Sequence, residues 1–144
     1  GGEVHVKEMV PMPLTDRAKE IVSMLAINLD WDCRYVSAGE LKRIQLFLRL
    51  YHEKQVIFLD EATADLDVDQ RHMLLRYLYE ESTKRNVTIV YATHIFEGLG
   101  PWATDAIVMD RNKKGVHQTW KAPISEDDII NTLVGLKKAE IWDE

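Results

Sequence analysis

The run Val56-Ile57-Phe58-Leu59, closed by Asp60-Glu61, is the feature that most restricts what this chain can fold into. Four consecutive apolar residues leave no polar face, so a strand made from them needs cover on both sides, as in a parallel sheet. Parallel strands in turn need a long crossover, usually a helix. The following segment supplies one. Residues 68–84 carry Leu74, Leu75, Leu78 and Tyr79 at helical spacing and lead into a second apolar run, Val87 to Thr93, which ends at His94. A strand, helix, strand unit and an α/β fold are therefore expected.

The rest of the pattern extends that reading. Glu3 to Val10, closed by Pro11 and Pro13, reads as a short extended lead-in. Thr15 can cap a helix with Ala18, Ile21, Val22, Leu25 and Ala26 on one face, ending near Asn28. A second helix begins after Ser37, with Leu41, Ile44, Leu48 and Tyr51 as its stripe and Phe47 and Leu50 widening it. Beyond a turn at Gly98-Leu99-Gly100-Pro101, Ala106 to Met109 predicts a third strand, Asn112 to Gly115 a hairpin turn, Val116 to Trp120 a fourth strand, and Ser125 the start of a last helix. The organisation expected is a lead-in over 1–14, helices over 15–54, an α/β core over 55–120 and a terminal helix over 121–144, with a mostly parallel sheet and a carboxy-terminal hairpin.

Composition removes several classes of function. With 144 residues, 46% hydrophobic and 29% charged, the chain can bury a real core. A net charge of −6 argues against a broad nucleic-acid or anionic-membrane footprint. No apolar run reaches the length of a membrane span. One cysteine, Cys33, excludes an internal disulfide, so a reducing compartment, cytoplasm or nucleus, is expected. Gly1-Gly2 in place of an initiator methionine resembles a tag scar or the start of an excised piece, and a fragment is expected.

Ligands of open α/β sheets bind beyond the carboxyl ends of the strands, where Asp60, Glu61 and His94 stand. Asp60 suits magnesium, a hard cation that prefers carboxylate oxygen. Glu61 could polarise an attacking water, and His94 could donate to a terminal phosphate. The plainer alternative is that Asp60-Glu61 begins a loop and His94 closes a strand end. Ser37 and Glu40 fit a capping box, while Ala38 and Gly39 would leave helix-start amides open to an anion; both readings stand. Ala64 to Asp67 reads either as a turn with a helix cap or, by its spacing to Glu61, as part of the same site. Trp31, Trp102, Trp120 and Trp142 read as core or interface aromatics with nothing basic around them. His5, His52, His72 and His117 have no metal-ligand spacing. No glycine-rich phosphate loop G-x-x-x-x-G-K-[ST] occurs in these residues.

Taken in order, Val36-Ser37-Ala38-Gly39-Glu40, Val56 to Glu61, Ala64 to Asp67 and His94 resemble the signature, Walker B, D-loop and H-loop of the ATP-binding cassette (ABC) family, a branch of the P-loop NTPases with a RecA-like core. Asn28-Leu29-Asp30-Trp31, the stretch Tyr91 to Leu99 and Trp102 are similar to the soluble cassette ATPases associated with the carbon-catabolite-repression NOT (CCR-NOT) complex. The resemblance implies a dimer, with itself or with a second cassette subunit, in which ATP lies between the phosphate loop of one subunit and the signature helix of the other. It implies that Ser37, Ala38, Gly39 and Glu40 face a partner's nucleotide, that Asp60 serves Mg2+, that Glu61 is the catalytic base, that His94 holds the γ-phosphate and that Asp67 couples the two sites. Ala38 and Glu40 depart from the usual L-S-G-G-Q. The Walker A lysine, the adenine-stacking aromatic and a recognisable Q-loop are not found.

Three readings follow. The first is the carboxy-terminal part of a soluble ATPase, with CCR-NOT components as partners and no activity in this chain alone. The second is a truncated, non-catalytic binding module. The third, a cassette interrupted by a coiled coil as in chromosome maintenance, finds no heptads in the lead-in.

Overall fold

Three helices begin where a short polar side chain can accept the first free amides, and the computed structural model, which describes residue 2 and residues 4–142 with side chains through residue 136, has all three caps formed. Thr15 accepts from Ala18 N and opens α1 (Asp16–Met24). Ser37 opens α2 (Ala38–Leu50), and Asp67 opens α3 (Val68–Arg85). Helix α1 stops short of the expected Asn28. Ala26 takes a left-handed φ of 50°, and the amides of Leu25, Ala26 and Ile27 turn back onto the carbonyls of Ile21, Ser23 and Val22. The lead-in also differs from its extended expectation. Val6–Glu8 is a single 3-10 turn whose Val6 and Lys7 amides donate to the carbonyls of Trp31 and Leu29, and Val6 is fully buried. Its backbone bonds go to the loop before α2, which leaves no ladder for a strand.

The buried faces shift slightly from the periodicity. In α2 the inward residues are Ile44, Leu46, Phe47 and Leu50, while Leu41 is exposed. In α3 they are Leu74, Leu75, Tyr77 and Leu78; Tyr79 points out, because Tyr77 lies beneath the Arg17 guanidinium of α1, 5.5 Å from its carbon. Asn86 closes α3 at φ 59°, a conformation its short amide tolerates.

Strand β1 (Val56–Asp60) pairs in parallel with β2 (Thr88–Ala92), in a register that sets Asp60 opposite Ala92. Ile57 and Leu59 are buried. Val56, Phe58 and Val90 are not, with Phe58 67% exposed, so the cover expected on both faces of β1 is present on one. Among the described residues this sheet has two strands, which leaves the second face of β1 uncovered within its unit.

The chain divides into two compact units after Thr93. In the second, β3 (Asp105–Asp110) and β4 (Gly115–Lys121) form the expected hairpin as a separate antiparallel sheet, with a bulge at Val108/Met109. Asp110 Oδ1 accepts from the amides of Asn112 and Lys113 and folds the turn. Ser125 Oγ accepts from Asp128 N at the start of α4 (Glu126–Trp142), and Val108, Ile124 and Ile129 form the centre of this unit's core, with Phe96, Trp120 and Leu133 around them. Gly100 is required by contact. A Cβ there would stand 2.8 Å from the Ile124 carbonyl, while its amide donates to Glu126 Oε1. The fold is α/β as expected, and among the described residues the strands form one parallel pair and one hairpin.

Candidate functional site

The β1 and β2 register delivers two carboxylates to one strand end. Asp60 is the last residue of β1 and is exposed. Glu61 follows with its amide donating to the Ala92 carbonyl at 2.9 Å, and its backbone turns into the left-handed region at φ 50°. For a residue with a long side chain that conformation costs about 1 to 2 kcal/mol. Glycine or asparagine would take it more cheaply. The Glu61 carbonyl accepts from Ala64 N, which curls the loop, and Glu61 Oε2 is enclosed by protein.

The floor beneath this loop is polar and buried. Thr63 is buried and accepts from the Tyr91 hydroxyl at 2.9 Å. Burial pushes the Tyr91 hydroxyl above its usual range; the bond to Thr63 and the charge of Arg71 work the other way, and Glu61 adds to the rise. Tyr91 thus stays a neutral donor through ordinary pH, with Glu61 and Arg71 both within its electrostatic reach.

At the amino end of α2 the capping box is complete. Ser37 Oγ accepts from Glu40 N at 3.1 Å, and Glu40 Oε2 accepts from Ser37 N at 2.9 Å. That accounts for Ser37 and Glu40 structurally. It does not account for Gly39, where a Cβ would meet only the Asp65 Cβ at 4.0 Å, an ordinary contact. Ala38 is exposed beside it. Asp67 likewise heads a capping box, accepting from Gln70 N at 2.7 Å while Gln70 Oε1 accepts from Asp67 N.

The structure brings the Ser37 to Glu40 segment beside the loop that ends in Asp67, since Lys42 of α2 pairs with Asp65 at 2.7 Å. His94, exposed and two residues beyond β2, opens the second unit. Among the described residues no group of three or more His, Cys, Asp or Glu side chains could hold a metal alone. A single exposed carboxylate such as Asp60 still fits magnesium, which keeps several waters and takes one or two carboxylates together with substrate phosphates.

Sequence reasoning missed the basic residue beside Trp31. The Arg43 guanidinium lies 5.5 Å over that ring and donates to the Leu25 and Ala26 carbonyls, where α1 ends. Nothing basic adjoins Trp31 along the chain within the loop except Arg34, so only the α2 periodicity, which turns Arg43 toward α1, could have signalled it. Among the described residues no helix is long and apolar enough to cross a membrane.

No protein-family model matches the chain. It is 47% identical over 88 residues to ABC transporter I family member 21 of Arabidopsis thaliana, covering 61% of this chain and 31% of that protein. It is 34% identical over 119 residues to CCR4-associated factor 16 of Saccharomyces cerevisiae, covering 83% and 41%. Among solved structures it matches a dimeric ATP-binding cassette in a post-hydrolysis state bound to ADP and Pi, with a TM-score of 0.67 and 19% identity over 82% of this chain and 56% of that one. The chain therefore spans well under half the length of these curated relatives and about half of the solved cassette. Sequence likeness and fold together place it with the ATP-binding cassette ATPases, over the carboxy-terminal portion of their nucleotide-binding domain.

Proposed function

We propose that this chain is the carboxy-terminal part of a soluble cassette ATPase that, in complete form, binds and hydrolyses ATP at a dimer interface. Asp60 would hold magnesium, Glu61 takes the proton of the attacking water, and His94 donates to the γ-phosphate. Magnesium, when bound, supplies the charge that offsets the phosphates. Ser37, Ala38, Gly39 and Glu40 face the nucleotide of a second subunit, and Asp67 couples the two sites. CCR-NOT components are the proposed partners, supported by the likeness to CCR4-associated factor 16, and cytoplasm or nucleus the proposed compartment.

The observation that carries this reading is Glu61. A long acidic side chain is held in a left-handed conformation at the carboxyl end of β1, with one oxygen enclosed, and such strain collects at functional sites. Gly39 supports it, because neither the capping box nor neighbouring atoms require a glycine there.

The test is ATP turnover by the longest protein that contains these residues. Glu61→Gln should lower kcat by about 100-fold or more, the usual contribution of a general base, while ATP binding persists. Turnover that survives this change would remove Glu61 from the chemistry. A second reading, a non-catalytic binding module, is favoured by the lack of a phosphate loop in these 144 residues. Both readings expect no hydrolysis by this chain alone, so hydrolysis by the longer protein discriminates between them.

A further inference from the structure

Helices α2 and α3 carry the Ser37 and Asp67 capping boxes at their amino ends, and a single side chain from α1 joins their carboxyl ends. Arg17 Nε donates to the carbonyl of Leu50, the last residue of α2, at 3.0 Å. Its Nη1 donates to Glu81 Oε1, in the last turns of α3, at 2.8 Å. Both side chains are more than nine-tenths buried, at 9% and 7% exposure. The Leu50 carbonyl is one of the four that every helix leaves unpaired at its end, so the guanidinium fills a backbone vacancy and meets a carboxylate with one planar group.

The arrangement is selective for arginine. Lysine carries three donors, but on one compact, rotating ammonium, and lacks the rigid fork that spans acceptors on two helices. Arg17 also lies over the Tyr77 ring, and Arg85 reinforces the junction, 3.7 Å from Glu81 Oε1 and 2.7 Å from Glu53 Oε1 just beyond α2. Buried pairs of this kind are weak contributors to stability and are often replaceable by apolar residues without loss. Their presence at the junction of two helices therefore points to geometry.

We propose that Arg17 is a positioning residue that fixes α2 against α3 and thereby sets the spacing between the Ser37 to Glu40 segment and Asp67. The consequence for catalysis rests on the ATPase reading; the structural tie does not. In a helix pair clamped at its buried end, a small angular change at Arg17 is carried along the length of α2 to Ser37.

The test uses this chain with Cys33→Ser and spin labels at the exposed positions Gln45, midway along α2, and Asp69, in the first turn of α3. Arg17→Met alone leaves the buried Glu81 with only its 3.7 Å contact to Arg85, so it is combined with Glu81→Leu. The double variant should keep its melting temperature within about 5 °C, consistent with apolar replacement of a buried pair. Its distribution of distances between the labels should broaden at least about twofold by pulsed dipolar spectroscopy. Arg17→Lys should fall between. An unchanged distribution overturns the proposal. In the longer protein the double variant should lower kcat about tenfold with KM for ATP within about twofold, as expected when a catalytic constellation loosens without loss of uniform binding. Unchanged kcat there overturns the catalytic consequence. Failure of the unmodified protein to hydrolyse ATP would instead refute the ATPase reading, and the distance measurement would still decide the tie.

Discussion

Gly39 and Asp32 show how one residue can be separated into structural and functional parts. Since a methyl group at Gly39 meets nothing closer than 4.0 Å, Gly39→Ala should raise stability by about 0.5 to 1 kcal/mol, through lower backbone entropy in the unfolded chain. If the bare amides serve a partner's nucleotide, the same change should reduce turnover of the complete dimer. A melting curve and a rate measured on one variant check both directions. Asp32 is different. Its carboxylate accepts from Arg34 Nε, Nη2 and N, and these bonds hold its pKa down to about 2 from an ordinary 3.8. A folded-state pKa below the unfolded one gives stability that is present above the unfolded value and is lost as pH falls through the folded value. The contribution of Asp32 should therefore fade as pH drops from about 4 through about 2, and the Asp32 carboxyl resonance in an NMR titration should move with a midpoint near pH 2. A titration midpoint near 4 would show that the Arg34 contacts do not persist in solution.

Helix starts were the most legible elements, because the information is local. Thr15, Ser37 and Asp67 each have their amide partner three residues on, and each cap formed as the sequence indicated. Helix faces were less legible. Tyr79 was expected inward, but Tyr77 took that place under Arg17, a residue 60 positions earlier in the chain that no periodicity connects to it. The Arg17 to Glu81 pair, 64 residues apart, was invisible for the same reason. The end of α1 is not legible because alanine rarely stops a helix, yet Ala26 ends it with a left-handed φ. At this scale Asp67 can be tested directly. Asp67→Ala should cost about 1 kcal/mol in denaturant unfolding through loss of the cap, whereas Asp67→Asn should keep most of that stability. If Asp67 also couples two sites, the asparagine variant should lose turnover without losing stability.

For the whole molecule, the order of elements and the hairpin were readable from apolar runs and turn residues, and the likeness to the cassette family rested on motifs that lie within about sixty residues of each other. The burial of β1 was not readable. An unbroken apolar run states what a strand requires, whereas the layers present decide what it receives, and here Val56, Phe58 and Val90 face outward together. Parallel pairs of strands seldom stand with one apolar face in water. This surface should make the chain associate as its concentration rises. Phe58→Lys should suppress that association in light scattering while changing the melting temperature by no more than a few degrees, since Phe58 is already 67% exposed.

The contact between Lys42 and Asp65 differs in kind from the one made by Arg17. At 61% and 32% exposure its charges are bathed in solvent, where mobile ions compete for each partner over a screening length of about 8 Å at physiological salt. The Arg17 and Glu81 charges are shielded from those ions by the protein itself. Ionic strength consequently acts unevenly on α2 and α3: added salt weakens the exposed Lys42 pair at the tips that carry Ser37 and Asp67 and the exposed Arg85–Glu53 pair at the other end, while the buried Arg17 tie stays fastened.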